Sequence, residues 1–250
     1  MKCLLFGLLG ACVAVGSASA DSVVERIIAS YDGVQSVQVE IRRDTAGPGG
    51  SARRLSRVYF RRPDQLHVEA VTPPRRRIVA DGTNFYSYID GDPKGYARPV
   101  SALDGDWLVS LRQVPGTAMD HLLRLRGSPE ESLPGTEAFP TRVGIRVESR
   151  YVVLNLDSNG RLARVEFFTD PSQATLLARY EYENFQEAAP GAWFALLQKA
   201  GLRQGREETT ETTRLTGLAV NQPIPDPLFS HATFFTGVTF TDSLDDIYGR

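Results

Sequence analysis

The sequence predicts a mainly β protein of the α+β class, in which a curved antiparallel sheet of about 10 or 11 strands forms a half-open barrel. Residues 58–99 contain several short runs that alternate between apolar and polar side chains, as half-buried strands do. Asp-Gly turns at residues 81–82 and 90–91 separate these runs, because glycine supplies the positive φ of a tight hairpin turn. Helical spacing of apolar residues is confined to a short N-terminal segment and to residues 101–134.

One face of the predicted sheet is aliphatic. Val37, Val39 and Ile41 alternate with polar residues, and the later runs repeat this period of two. Alternate side chains of a strand point to the same face, so a curved sheet would make the apolar face the wall of a cavity. The predicted wall residues are Val39, Ile41, Val58, Phe60, Leu66, Val68, Ile78, Phe85 and Ile89. The opposite face is predicted to carry arginine and tyrosine.

Short helices are expected to close the open side of this barrel. Residues 21–31 have the apolar spacing of one helix face, with Asp21 or Ser22 as N-cap and Asp32-Gly33 as the stop. Residues 101–134 have two further stretches of helical spacing, which should pack on the aliphatic face as a lid. The predicted lid residues are Leu108, Leu111, Leu122 and Leu123.

Strand signals resume after this helical insertion. A hairpin is predicted over residues 142–156, and further strands follow the turn at residues 157–160. The polar, Thr-rich runs at 203–213 and 215–220 predict strands at an edge of the sheet.

The first 20 residues predict a secretory signal peptide. Lys2 precedes a short apolar run, and Ala18-Ser19-Ala20 forms a small-x-small cleavage site. Cleavage after Ala20 would leave residues 21–250 as a single exported domain. In the alternative, Leu9-Gly10-Ala11-Cys12 resembles a lipobox, and Cys12 would be a lipid-modified N-terminus.

The charge balance and the cysteine content argue against nucleic-acid binding and against thiol chemistry. The chain has 28 Lys+Arg and 30 Asp+Glu, so it lacks the basic surplus that nucleic-acid binding needs. Its 2 cysteines both precede Ala20, so the mature domain would have neither a disulfide nor a thiol nucleophile.

Catalytic and metal-binding motifs are absent from the sequence. His67, His121 and His231 have no ligand spacing, and the Asp-Gly-Asp triplets at 90–92 and 104–106 lack the later ligands of a calcium loop. We therefore expect neither an enzyme nor a bound cofactor or metal. The arginines at 61–62 and 75–77 could instead form a patch for acidic headgroups or an acidic partner, or simply a solvated face.

Several of these motifs occur in the order found in a known family. They are Tyr59-Phe60 before Arg62-Pro63, Ile78-Val79-Ala80-Asp81-Gly82, and the aromatic run Phe85-Tyr86-Ser87-Tyr88. With the closing segment 221–240, they resemble the outer-membrane lipoprotein carriers of the LolA and LolB type. Members typically have an arginine four residues after the bend proline that helps hold the lid, whereas this sequence has His67 at that gating position.

The resemblance implies a monomeric periplasmic carrier that shelters the acyl chains of lipoproteins, or another lipid, in a hydrophobic cavity. It would receive them from an inner-membrane donor complex and deliver them to an outer-membrane acceptor. The alternative is a non-transporting module on the same fold, such as an envelope-stress sensor or assembly factor. The arginine- and tyrosine-rich outer face, including Arg75, Arg76 and Arg77, would then be the working surface.

Overall fold

The structure, a computed structural model, describes residues 22–205 and 207–243. The predicted signal peptide, its cleavage site after Ala20 and the alternative lipid anchor at Cys12 lie outside these residues. Within the described part of the chain, no helix has both the length and the hydrophobicity needed to cross a membrane.

Fourteen strands form one curved sheet. The strands are β1 (Ser36–Gly47), β2 (Gly50–Arg61), β3 (Gln65–Ala70), β4 (Arg76–Asp81), β5 (Asn84–Ile89), β6 (Lys94–Pro99), β7 (Glu130–Leu133), β8 (Thr141–Val147), β9 (Arg150–Leu156), β10 (Leu162–Phe168), β11 (Leu176–Ala189), β12 (Ala192–Gln204), β13 (Glu207–Val220) and β14 (Thr239–Thr241). The helices are α1 (Val23–Ala29), α2 (Gly105–Arg112), α3 (Met119–Leu125) and α4 (His231–Phe234), with short 3₁₀ turns at Val100–Ala102 and Asp226–Phe229.

The sheet consists of two meanders that meet at β1 and β13. Its order is β14-β6-β5-β4-β3-β2-β1-β13-β12-β11-β10-β9-β8-β7. Neighbouring strands are antiparallel, except that β14 runs parallel to β6. The predicted mainly β, curved antiparallel sheet with few helices is confirmed, although it has 14 strands rather than 10 or 11.

Two segments differ from the sequence-based strand assignment. Residues 130–133 of the predicted helical insertion form β7, which pairs with β8 at one edge of the sheet. The prediction that the Thr-rich runs are edge strands is wrong, because residues 207–220 form one long strand, β13, between β1 and β12. Thr213 and Leu215 of β13 are buried, since the strand joins the two halves of the sheet and has a partner on each side.

The pairing register brings the predicted aliphatic residues to one face. Val39 pairs with Val58, Val58 with Val68, and Val68 with Ile78, and directly paired residues of neighbouring strands lie on the same face. The other predicted wall residues lie on the same face, because they pair across the same strands in the same alternation. We call this the inner face, and the opposite one the outer face. The inner face holds Val39, Ile41, Val58, Phe60, Leu66, Val68, Ile78, Phe85 and Ile89.

Helices α1, α2 and α3 cover the inner face. Val24 of α1 and Leu122 of α3 share one core cluster with Phe60, whose side chain is fully buried. Leu111 of α2 packs in a second cluster with Phe85. Burial of each large apolar side chain contributes about 1.5–3 kcal/mol, so the helices are held mainly by this contact with the sheet.

A C-terminal segment covers part of the outer face. Residues 224–241, which we call the strap, run from the second 3₁₀ turn through α4 to β14. Phe235 of the strap packs against Val79 and Tyr86. The outer face of β4 and β5 is therefore buried beneath the strap.

The N-terminus of α1 is fixed by two side chains. The Ser22 hydroxyl accepts a hydrogen bond from the Glu25 amide, which satisfies one free N–H of the first turn. The Glu130 carboxylate accepts from the amides of Val23 and Val24 at 2.8 and 3.0 Å. Glu130 thereby connects α1 to the start of β7, and its negative charge also favours this end of the helix dipole.

Candidate functional site

A cavity of about 660 Å³ lies between α1, α3 and the inner face of β11 and β12. Its volume falls within the range of about 300–1,000 Å³ that is typical of sites for small molecules. Its lining is mixed, with polar residues such as Arg26, Ser30 and Thr141 beside apolar residues from both the helices and the sheet. The apolar residues include Ile27, Leu122, Leu162, Phe185, Trp193 and Ala195.

A charged pair forms part of the cavity rim. The Arg161 guanidinium pairs with the Asp157 carboxylate at 2.6 Å and lies over the rings of Phe185 and Trp193, 4.5 and 5.2 Å from their centroids. Burial alone would raise the pKa of Asp157, but hydrogen bonds from Arg161 and from the turn backbone outweigh it and lower that pKa. The pair therefore stays ionised at neutral pH. The adjacent turn, residues 158–160, is exposed, so the cavity opens to solvent beside it.

A second, more polar cavity of about 250 Å³ adjoins the first. Its sheet side includes Arg43 and Glu211, whose charged groups are 3.0 Å apart. Its helix side includes Asp120 and His121 of α3. Burial lowers the pKa of His121, so this ring is neutral at pH 7 and can form hydrogen bonds without adding charge.

The segment between α2 and α3, residues 113–118, separates the two cavities, and we call it the linker. The Gln198 side chain donates a hydrogen bond to the Gly116 carbonyl at 2.7 Å. Gly116 has φ +77°, and a Cβ at this position would lie only 2.9 Å from Leu215 Cδ1. Glycine thus lets the linker lie directly on the sheet, and both cavities are lined by Gly116 and Thr117.

The predicted wall residues are mainly core residues. Val39, Val58, Phe60 and Phe85 are buried in the clusters beneath the helices, and Leu66, Val68, Ile78 and Ile89 are half-buried. Of the nine, Ile41 lines the smaller cavity, and none lines the larger one. The physical reason is that α1, α2 and α3 fill the space over β1 to β5, whereas the gap lies over β11 and β12.

The predicted lid residues do lie on helices that cover the inner face. Leu122 lines the larger cavity, whereas Leu111 is packed in the core. Leu108 and Leu123 are half-buried and pack against the two core clusters.

His67 lies on the outer face, away from the lid helices. It is 2% exposed, with its ring 5.5 Å from that of Tyr59 and 4.6 Å from that of Phe234 in the strap. Neither ring nitrogen has a hydrogen-bond partner within residues 22–205 and 207–243. Burial, aided by the charge of Arg77, lowers its pKa to about 4. The position predicted to gate the lid therefore contacts the strap instead.

Four of the five arginines of the predicted patch contact different parts of the molecule. Arg61 pairs with Asp226 of the strap at 2.7 Å, and Arg62 donates to the Val34 carbonyl at 2.7 Å. Arg77 lies under the strap on the outer face, whereas Arg76 pairs with inner-face residues of β3 and β5. Arg75, Arg76 and Arg77 line one surface pocket together with Glu69 and Asp90.

One of the two Asp-Gly-Asp triplets considered for metal binding has a structural role. The Asp104 carboxylate caps α2 by accepting from the Trp107 amide at 3.1 Å. Within the described ranges, no group of three or more His, Cys, Asp or Glu residues could hold a metal ion.

The aromatic cavity residues of β11 and β12 were not predicted. Tyr182, Phe185 and Trp193 lie in a region where the sequence suggested no function. The alternation of Trp193 with Ala195, facing Phe185 across the strand pair, was the available signal. It could not be interpreted without knowing that β12 pairs with β11 and that the helices leave this part of the sheet uncovered.

Comparison with solved structures identifies the fold. An outer membrane lipoprotein-sorting protein domain from Vibrio parahaemolyticus matches 84% of this chain and 95% of its own, with TM-score 0.56 and 11% identity. A LolA superfamily protein from Nitrosomonas europaea matches 86% and 99%, with TM-score 0.54 and 16% identity. A DUF1329 family protein from Desulfovibrio piger matches 84% and 96%, with TM-score 0.54 and 11% identity. No protein-family model and no curated protein matches the sequence.

The molecule is a half-open β-sheet protein with a helix-covered inner face and a cavity beneath the cover. Its fold is LolA-like, and the distant resemblance suggested by the sequence motifs is confirmed at the level of the fold. At 11–16% identity, these matches establish architecture and not activity.

Proposed function

We propose that the protein is a periplasmic carrier that binds the acyl chain of a lipoprotein, or of another lipid, in the larger cavity. It would receive this cargo from an inner-membrane donor and deliver it to an outer-membrane acceptor, acting as a monomer and without catalysis. The observation that carries the proposal is the 660 Å³ cavity on the inner face of a LolA-like sheet, part of whose wall is aromatic and aliphatic.

The energetics favour such a cavity. Transfer of an acyl chain from a membrane into water costs about 0.8 kcal/mol per CH₂, so a sixteen-carbon chain needs shelter worth roughly 12 kcal/mol. Rings and aliphatic side chains such as Phe185, Trp193 and Leu122 provide apolar contact of this kind. The rim pair of Arg161 and Asp157 keeps polar groups at the opening, where a headgroup or a protein chain would emerge.

The cargo site we propose differs from the one predicted by strand alternation. Most of the predicted wall residues stabilise the core, whereas Ile41 and Leu122 border the cavities. The wall of the proposed acyl site comes from α1, the linker, the turn between β9 and β10, β11 and β12.

A cavity-filling substitution tests the proposal. Ala195 is buried and lines the cavity, so Ala195→Phe should place a ring in the space that an acyl chain would occupy. We expect the wild-type protein to bind a fluorescent fatty-acid probe and Ala195→Phe to weaken that binding at least about tenfold. Ala232→Phe, on the exposed surface of α4, is the matched control and should bind normally. A wild-type protein that does not bind the probe would refute the proposal.

A further inference from the structure

The strap contacts the outer face largely through aromatic side chains. The Phe234 ring lies 4.6 Å from the His67 ring and 4.4 Å from the guanidinium carbon of Arg77. The Phe235 ring lies 5.8 Å from the Tyr88 ring, and β14 pairs with the edge of β6. Detachment of this segment would break these contacts but none of the antiparallel strand pairs, so the strap can open as a local unit.

The chain just before the strap is held firmly. The Asn221 side chain accepts hydrogen bonds from the amides of Gln35 and Ser36 at 2.7 and 3.3 Å. It also donates one to the Gly33 carbonyl at 2.9 Å. These bonds join the end of β13 to the segment that follows α1. A detached strap would therefore stay tethered at this point and could close again.

His67 is the titratable side chain that the strap buries most completely. It is 2% exposed, with its ring between those of Tyr59 and Phe234. In the part of the chain that the structure describes, neither of its ring nitrogens has a hydrogen-bond partner. Burial of a charged ring without a partner costs far more than burial of a neutral one. Proton binding therefore favours a state in which the ring reaches water.

The charges around His67 offer little compensation for a proton. Arg77 of β4 opposes protonation, and Glu69 of β3 favours it. Glu69 is already shared by Arg77 at 2.6 Å and Arg57 at 3.5 Å, so it can offset the charge of the ring only in part. From the other sides, β2 presents the phenol of Tyr59 and the strap presents the ring of Phe234.

A second histidine at the same interface acts in the opposite direction. His231 of the strap stacks on Tyr86 at 4.4 Å, and its Nδ1 lies 3.7 Å from the Asp81 carboxylate. Protonation of His231 would strengthen that contact and hold the strap in place. Its side chain is 46% exposed, so solvent screens the interaction. The buried ring of His67 should therefore dominate the response of the strap to acid.

We infer that the strap is an acid-released cover of the outer face, which detaches when His67 binds a proton while the sheet and the helices stay folded. Detachment uncovers Val79, Tyr86 and the edge of β6. The inference does not depend on the proposed cargo, because the strap and the larger cavity lie on opposite faces of the sheet.

Amide hydrogen exchange of the wild-type protein tests the inference. Peptide mass spectrometry at pH 7.5 and 5.5, corrected for the intrinsic exchange rate at each pH, gives the protection of each segment. The pKa of His67 is about 4 when covered and 6.5 when unperturbed, so protection of the strap should fall about tenfold between these conditions. Peptides from β9 and β10 should keep their protection, since the opening is local.

Two histidine variants locate the effect. His67→Phe should reduce the change in strap protection to less than about twofold, whereas the matched control His231→Gln should keep at least the wild-type change. A strap that is equally protected at both pH values, or unprotected at pH 7.5, overturns the inference. So does a parallel loss of protection in β9 and β10, or a tenfold fall retained in His67→Phe. The comparison of segments within the wild type decides the matter even if His67→Phe does not fold.

Discussion

Arg112, the last residue of α2, donates two hydrogen bonds to the Asp64 carboxylate at 2.6 and 3.1 Å. Asp64 follows Pro63 of the Arg-Pro bend between β2 and β3, and the linker begins at the residue after Arg112. This pair therefore fixes one end of the segment that separates the cavities. The family resemblance implies an arginine on the strand that holds the lid, whereas here the arginine is on the lid helix and the carboxylate is beside the bend.

Loss of this ion pair should speed ligand exchange. Arg112→Gln frees the start of the linker, so we expect an acyl probe to dissociate about 2- to 5-fold faster in stopped-flow measurements. The pair is partly exposed, with side-chain exposures of 52% and 14%, so stability should fall by no more than about 1 kcal/mol. The charge-swapped double variant Arg112→Asp with Asp64→Arg should regain part of the wild-type rate. Unchanged exchange in Arg112→Gln would show that the pair does not control access.

The linker should tolerate no side chain at Gly116. Gly116→Ala combines a left-handed backbone conformation with a contact of 2.9 Å to Leu215 Cδ1. We expect a loss of about 2–3 kcal/mol in the free energy of unfolding, measured with urea. Gly127→Ala is the matched control, because Gly127 has a similar φ of +74° but a Cβ there would meet no atom within 4 Å. It should lose only about 1 kcal/mol, and equal losses at both positions would argue against close packing of the linker.

Acid should destabilise the strap through His67. Its pKa is about 4 in the folded protein and 6.5 when unperturbed, so the folded state binds fewer protons than the unfolded state between these values. Stability from this residue is therefore complete above about pH 6.5 and is lost as the pH falls toward 4. Arg77 opposes protonation of the ring and Glu69 favours it.

His67→Phe should remove this component of the acid sensitivity. Urea unfolding at pH 7.5 and 4.5 is expected to show that wild type loses on the order of 2 kcal/mol more than the variant over this interval. The phenyl ring should keep the contacts with Tyr59 and Phe234 on the outer face. Identical pH dependence of the two proteins would mean that His67 is hydrated or already charged in the folded state.

Glu130 should affect both the stability of α1 and the affinity of the cavity for a ligand. Glu130→Ala removes the acceptor for the Ser22 hydroxyl and for the first two amides of α1, so we expect a loss of about 1–3 kcal/mol in unfolding free energy. Probe affinity should also fall, because Ile27 of α1 lines the cavity. Glu137→Ala, in an exposed loop, is the control and should alter neither value. A stable Glu130→Ala variant would indicate that packing alone holds α1.

Local alternation was enough to predict which residues share the inner face. The nine predicted wall residues lie on one face because a strand has a period of two and hairpin turns such as Asp81-Gly82 fix the register. The N-terminal helix was also predictable, since Ser22 caps a segment with clear helical spacing. These features depend on residues that are close in sequence.

The position of the cavity depends on contacts between distant segments. Strand β13 pairs with β1 across more than 160 residues of sequence, as in the contact between Thr210 and Ala46. The strap that covers Tyr86 and His67 likewise comes from the far end of the chain. Neither arrangement changes the local hydrophobic pattern, so strand alternation could not show where the helices would leave a gap.

The central claim is that an acyl chain occupies the space beneath α1 and the linker. Irradiation of the protein with a diazirine-labelled palmitoyl ligand, followed by peptide mass spectrometry, tests it most directly. We predict adducts on peptides that contain Ile27, Leu122, Phe185 or Trp193, and their loss in Ala195→Phe. Adducts confined to the outer face or to the strap, and unaffected by Ala195→Phe, would contradict the claim.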